Sequence, residues 1–357
     1  MVDNIVYLCI LIAFALFVLI GVRKNGVGIL TDGKRDYSSE QKEVLKRLNK
    51  LRGVFAIEII IGHVFRHQIT ILYPFGKFMI ISAAFFFFIS AFGMVYSNRH
   101  KSGYLEGMSF LLQKPFYILL ISVLFFLVNM LIDAMFPADL GFLHTNVLSA
   151  YFLETNWYLF ELIVFYLMFY AVYRIISPAF RIPVIAILSM TGILVLFFCF
   201  GASVETWYAS SLGFPLGLLF GEYYENISRF LHRMTGVLFT VLLSLFGLFC
   251  LIWTDDGMIG MVFMRNAICI AGILIVWYMA CHFEFDNRII RLTTEYSLEI
   301  FLSQFIFQKI AGVYGWNPVT SFVFSFVCLW ILALIIHPIV LLIGKALQRE
   351  RTCKREA

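Results

Sequence analysis

Residues 51–67 read LRGVFAIEIIIGHVFRH and place Arg52, Glu58, His63, Arg66 and His67 in or beside one strongly apolar segment. Ionisable groups are costly inside a membrane span and usually face a protein interior or a polar path, so their presence points to function. Arg52 and His63 are eleven residues apart, three helical turns plus about 20°. On a helix they share one face, separated by roughly 16 Å along the axis, and His67 continues that face. A guanidinium binds phosphate bidentately, and an imidazole near neutral pKa removes a hydroxyl proton. The stripe suits a reaction in which a phosphate-bearing donor docks from the cytosol at Arg52 and its reactive end reaches His63. Two plainer readings stand beside this one: Arg52 snorkels to the boundary and sets orientation, and His63 satisfies an interior polar contact. Glu58 lies about 140° around the helix from His63, so it pairs with a neighbouring helix instead. Arg66 and His67 read equally as interfacial anchors and as acceptor contacts.

The element that must carry this stripe is a membrane helix, and the chain offers many. Of its 357 residues, 61% are hydrophobic and 14% charged, against about a quarter charged in soluble domains. Apolar runs of about 20 residues span a bilayer as helices. The pattern of runs, breakers and charges predicts an all-α polytopic membrane protein with about eleven spans. They fall near 4–22, 52–73, 77–97, 115–136, 157–173, 183–201, 207–222, 235–254, 259–281, 293–312 and 318–344. The first reads as a retained anchor, because Asp3 and no basic residue precedes it and no small-residue cleavage site follows. With the N-terminus outside, all the Lys and Arg except Arg66, Lys77, Arg265 and Lys309 fall on the cytoplasmic side, 23 of 27. That alternation needs an odd number of spans and puts the C-terminus in the cytoplasm. The net charge of +5 then reflects topology and gives no reason to propose nucleic acid. Seven scattered cysteines without a C-x-x-C pair suggest neither a disulfide nor a metal.

The longest loop, Arg23 to Lys50, is basic and cytoplasmic, and its second half carries Val44, Leu45, Leu48 and Leu51 at helical spacing. It reads as a helix lying on the membrane surface; it either fixes orientation or helps to bind an anionic cofactor. The outer segment Pro137–Asn156 is long enough to cover a site. Gly213, Gly217 and Gly221 predict close helix packing, or else a broken helix lining a cavity. Trp157 and Tyr158 suit an aromatic belt, yet Glu161, one turn deeper, suggests a polar cavity lining. Arg265 and Asn266 are acceptor-contact candidates, whereas Ser90 is a packing residue. Glu295 and Glu299 are expected to pair with Arg288 or Arg291. No internal repeat is visible, which counts against inverted-repeat transporters.

Leu-Arg-Gly followed by an Arg-x10-His spacing resembles the acyltransferase 3 family of bacterial membrane O-acyltransferases, and further pieces follow in order. FFFFISAFGM (85–94) resembles its aromatic stretch ending in Ser-Gly-Phe, with Ala91 in the glycine's place. FLLQKPFYIL (110–119) is similar to its basic segment before a proline, with Lys114 where arginine is usual. NWYLFELIVFYLMF (156–169) and SSLGFPLGLLFGEY (210–223) resemble its Trp-Phe-Leu helix and its glycine-proline helix. YSLEIFLSQF (296–305) resembles Ser-Leu-Glu-Ile-Tyr-Leu-x-His, with Gln304 at the histidine position. The resemblance implies a ten-helix acyltransferase domain over residues 51–345. The anchor 1–22 and the basic loop 23–50 precede it, and a basic cytoplasmic tail, 346–357, follows. It also implies acyl-CoA, often acetyl-CoA, as donor and a hydroxyl of an extracytoplasmic glycan, glycolipid or small molecule as acceptor. His63 would be the catalytic histidine, Arg52 its basic partner and Lys114 a cofactor contact.

The expected function is therefore a multi-pass O-acyltransferase of the cytoplasmic membrane, O-acetylation being its most common form, with lipid, acyl-CoA and an acceptor as partners and no metal. Acceptor contacts would fall among Arg66, His67, Trp157, Glu161 and Arg265. A glycan or lipid-precursor flippase would use the same charges to line a path. An inactive relative that binds without catalysis is a further alternative, kept open by Gln304.

Overall fold

The computed structural model describes residues 2–24, 36–65, 78–105, 109–135, 157–200, 209–233, 235–252 and 259–356. Arg66, His67 and the outer segment 137–156 lie outside them. Helices run in chain order as α1 (Val2–Leu19), α2 (Tyr37–Phe65), α3 (Phe78–His100), α4 (Tyr117–Met135), α5 (Trp157–Ile175), α6 (Arg181–Phe200) and α7 (Gly213–Glu222). They continue as α8 (Tyr224–Arg233), α9 (Thr235–Ile252), α10 (Ile259–His282), α11 (Arg288–Glu295), α12 (Ser297–Val313) and α13 (Pro318–Glu356). In hydrocarbon every backbone polar group needs an internal partner, which is why the apolar runs are helical. Each of the eleven expected spans contains a helix, and among the described residues six helices are long and apolar enough to cross a membrane. At ten residues α7 is only about 15 Å long, half a bilayer core.

The chain forms two units. Unit 1 comprises residues 1–102 and 182–295. In it α7 lies directly on α3: a Cβ placed on Gly213 or Gly217 would come within 2.3 Å of the Ala84 carbonyl oxygen or 2.2 Å of that of Phe88. Close packing is thus the meaning of the glycine spacing. Beneath it, the rings of Phe88, Phe92, Phe220 and Tyr224 surround the buried Trp277 with centroids 4.8–5.9 Å away, mostly edge to face, the favoured aromatic geometry. The aromatic run 85–94 thereby becomes the unit's core.

The basic segment before the second span is not a separate surface helix. α2 runs unbroken through it, and Val44 and Leu48 are fully buried in the aromatic core cluster. The neighbours that bury it are supplied by distant sequence. Buried Arg47 donates to the carbonyls of Ala280 and Phe283 at the C-terminal end of α10, 3.3 and 3.5 Å away, where a cation meets the negative end of the helix dipole. Buried Glu40 accepts from Tyr224 Oη at 3.0 Å and Ser228 Oγ at 2.5 Å. Burial pushes the Tyr224 hydroxyl well above its ordinary pKa, so it remains a donor. Strand β1 (Val22–Lys24) pairs antiparallel with β2 (Phe283–Phe285). Asn287 Nδ2 donates to the carbonyls of Phe17, in the last turn of α1, and of Ile20, just after it, at 3.1 and 2.8 Å. Gly21, at φ +83°, makes the turn between α1 and β1, a conformation that favours glycine. The first helix is thus built into unit 1, which its reading as an anchor did not anticipate.

Unit 2 comprises residues 103–181 and 296–357. Its α4 is preceded by a π-helical turn, Leu112–Phe116, containing Pro115; a proline without an N–H breaks the regular ladder there. Phe110 is buried against the rings of Phe169 and Tyr170 at 5.9 and 5.7 Å. α12 packs along α13, a 39-residue helix that continues through the basic tail to Glu356.

Candidate active site

The stripe inferred from spacing survives in unit 1, because α2 is one helix from Tyr37 to Phe65 without a break between Arg52 and His63. Both side chains are half-buried. Buried Ile59, Ile60 and Ile61 precede His63, so its last turn rests in an apolar setting. Gly62 adjoins Met79 of α3, whose Cγ lies 2.3 Å from where a Cβ would stand. At the Arg52 end Gly53 lets α11 approach, with Thr293 Oγ1 against the position a Cβ would take. Two glycines of α2 therefore flank the Arg52–His63 interval and bring neighbouring elements against its backbone.

Glu58 does reach a neighbouring helix, but its partner is a hydroxyl: buried Ser82 of α3 donates to Glu58 Oε2. Arg265 is buried on α10 beside Asn266. Asn266 Oδ1 accepts from the Leu212 N–H at 3.3 Å, and its Nδ2 donates to the Val262 carbonyl at 3.0 Å. Its amide thus holds the turn that starts α7.

A groove of about 740 Å³ opens along the N-terminal half of α2, lined by Ser39, Lys42, Glu43, Lys46, Asn49, Lys50 and Thr294. Lys50 is held by Glu284 at 3.0 Å and Asp286 at 3.4 Å, and Lys46 by Glu43 at 3.6 Å. The lysines recur every fourth residue and form their own stripe, between about 80° and 160° around the helix from Arg52. Their spacing was visible in the sequence; the groove needed the fold.

Unit 2 holds the other candidates. Lys114 is half-buried in the π-helical turn, a kind of distortion often found at functional sites. Trp157 opens α5 edge-on to Tyr158, and Glu161 is buried one turn further along. Glu299 corrects an expectation: it pairs with His337 of α13, Oε1 to Nδ1 2.8 Å, rather than with Arg288 or Arg291. The reason is that α11 ends at Glu295 and α12 begins afresh at Ser297. Glu299 thus lies in the first turn of a new helix, where the dipole favours a carboxylate. Arg291 turns instead to Asp286, 3.5 Å away. His337 was missed, although it is the one Asp, Glu, Lys, Arg or His in the stretch 318–344, the signal that marks interest inside a span.

An arginine at one end of a helical stripe and an imidazole at the other can anchor an anion and move a proton. In the same unit the glycine and aromatic segments quoted from the sequence are ordered helices packed on one another, and in unit 2 the Lys-Pro segment forms the π-helical turn. Residues 45–340 match the family model of the acyltransferase 3 domain. No curated protein and no solved structure matches the chain. A match across more than half of a chain with this many apolar helices settles the family: the protein is a multi-pass membrane acyltransferase and belongs to the acyltransferase 3 family.

Proposed function

We propose that the protein transfers an acyl group, acetyl in the simplest case, from cytosolic acyl-CoA to a hydroxyl of an extracytoplasmic glycan or glycolipid. It would act in the cytoplasmic membrane through eleven spans, N-terminus outside and C-terminus in the cytosol. The observation that carries this reading is the unbroken helix joining Arg52 to His63 in a chain of this family. The donor's phosphates are drawn to Arg52 and to the lysines of the adjoining groove, with Lys114 a further contact; guanidinium supplies the bidentate hold. The thioester then extends along the stripe to His63.

In the direct route His63 takes the proton of the acceptor hydroxyl as its oxygen attacks the thioester carbonyl. The carbon–sulfur bond breaks, the ester forms, and the departing thiolate receives a proton, leaving coenzyme A thiol. In the two-step route the imidazole first accepts the acyl group and then yields it to the hydroxyl. Both consume one thioester and one hydroxyl and release one ester and one thiol.

The test compares envelope glycan O-acetylation in a deletion strain complemented with wild type or His63→Ala at matched membrane abundance. His63→Ala is expected to lower transfer by roughly 10²- to 10⁴-fold, the usual worth of a positioned general base. Undiminished acetylation overturns the assignment.

A further inference from the structure

Within unit 2, α12 carries a second polar face that the proposed chemistry does not use. Ser297, Gln304 and Gln308 lie within about 40° of one another around the helix. They sit at least about 140° away from Glu299 and its His337 partner. Ser297 and Gln304 are each 1% exposed. Ser297 Oγ, Gln304 Oε1 and Gln308 Nε2 are all buried, and no group among the described residues hydrogen-bonds any of them. The two glutamines are one turn apart, yet these atoms do not bond each other. Buried polar atoms are nearly always paired, and each exception calls for an explanation. Three on one face of one helix form a pattern.

The same face carries Phe301, whose ring meets Tyr158 of α5 edge to face at 5.0 Å. Glu161 is buried one turn along α5 from that contact. The face is therefore directed into unit 2 and not toward lipid. Its chemistry is specific: one amide presents an acceptor oxygen and the next a donor nitrogen. A hydroxyl group both donates and accepts, so such a pair completes both halves of it. If either amide is turned over, each still offers one donor and one acceptor end. An anion would want cations here, and an acyl chain would want no polar atoms.

We propose that the Gln304–Gln308 face of α12 recognises a polyhydroxyl acceptor, a sugar, by hydrogen bonds to its hydroxyls. This rests on the reading that the enzyme acylates a hydroxyl, and it makes Gln304 an acceptor contact at the position where the family has histidine. Acceptor preference then follows the amides.

Full-length wild type, Gln304→Leu, Gln308→Leu and the double variant are compared in nanodiscs and in membranes. Leucine keeps the bulk and removes the polar atoms. The variants are expected to melt no lower than wild type, because an unpaired polar group has been removed. The amount of envelope glycan needed for half-maximal transfer rises at least about tenfold, as when a site loses its hydrogen bond to a substrate hydroxyl. The KM for acyl-CoA stays within about twofold, and Gln304→His, which keeps a donor and an acceptor, retains use of the glycan. A lowered melting temperature with transfer falling in proportion assigns these residues to structure and overturns the proposal, as does unchanged glycan dependence. If wild type transfers no acyl group to the glycan, the acyl-transfer reading itself falls, and a second measurement still decides this one. An N-acetylglucosamine disaccharide must raise the melting temperature of wild type and not of the double variant. An equal shift in both, or none in either, overturns it.

Discussion

Arg52 is the residue at which charge and shape separate most cleanly. Arg52→Lys keeps the charge and loses the planar fork. In the proposed reaction the KM for acyl-CoA should therefore rise about tenfold while kcat changes little, the mark of lost uniform binding; a fall in kcat alone would place Arg52 at the chemistry. Glu299 poses a different problem, a buried carboxylate whose Oε1 is held by His337 and whose Oε2 no group among the described residues hydrogen-bonds. His337→Leu strands that carboxylate and should cost about 3–5 kcal/mol; Glu299→Gln in the same chain should restore much of it, read as a double-mutant cycle by thermal melting. A cycle without coupling would show the pair to be incidental. Both residues stand out in the sequence as polar groups in apolar surroundings. Their pairing did not, because it depends on where α12 starts and how α13 registers against it.

Between α7 and α3 the spacing of glycines is set by carbonyl oxygens and not by flexibility. Gly217→Val would drive a branched side chain into the Phe88 carbonyl and should destabilise by at least about 2 kcal/mol. Gly192→Ala on α6, with no atom within 4 Å of its Cβ position, should be neutral or gain up to about 1 kcal/mol from helix propensity. Melting temperatures that moved together would refute the distinction. The start of α2 offers a pH test. Asp36 Oδ1 accepts from the backbone N–H of Ser38 at 3.0 Å, and its Oδ2 from the Ser39 hydroxyl at 2.5 Å. The Ser39 hydroxyl leads in holding its pKa below the ordinary 3.8. A depressed folded-state value stabilises above the unfolded pKa, and the benefit is lost as pH falls below 3.8 through the folded value. Amide protection at residues 38–40, taken against the unfolded-chain rate at each pH, should fall on such acidification in wild type and stay level in Asp36→Asn, whose amide caps at any pH. The glycine contacts were legible from their four-residue period. The continuity of α2 was not: Val44 and Leu48 look alike whether they face lipid or protein, and only the end of α10 and the α7–α8 junction decide it.

For the whole chain, charge asymmetry carries the orientation. A reporter fused after Ala357 should be active only in the cytosol, and a tag before Met1 should be reached only from outside; either result reversed breaks the eleven-span scheme. Composition made the all-helical class plain, whereas the partition into two units depends on contacts between residues far apart in sequence, which hydropathy does not encode. One consequence of α2 is mechanical. A rod of 29 residues, about 43 Å long, has no joint at which its N-terminal half can turn without its C-terminal half. The angular phase of His63 is therefore set at Arg47 and Glu40. One alanine inserted after Ala56 would swing His63 by about 100° and silence transfer, whereas seven inserted there would return it to within about 20°, displaced only along the axis.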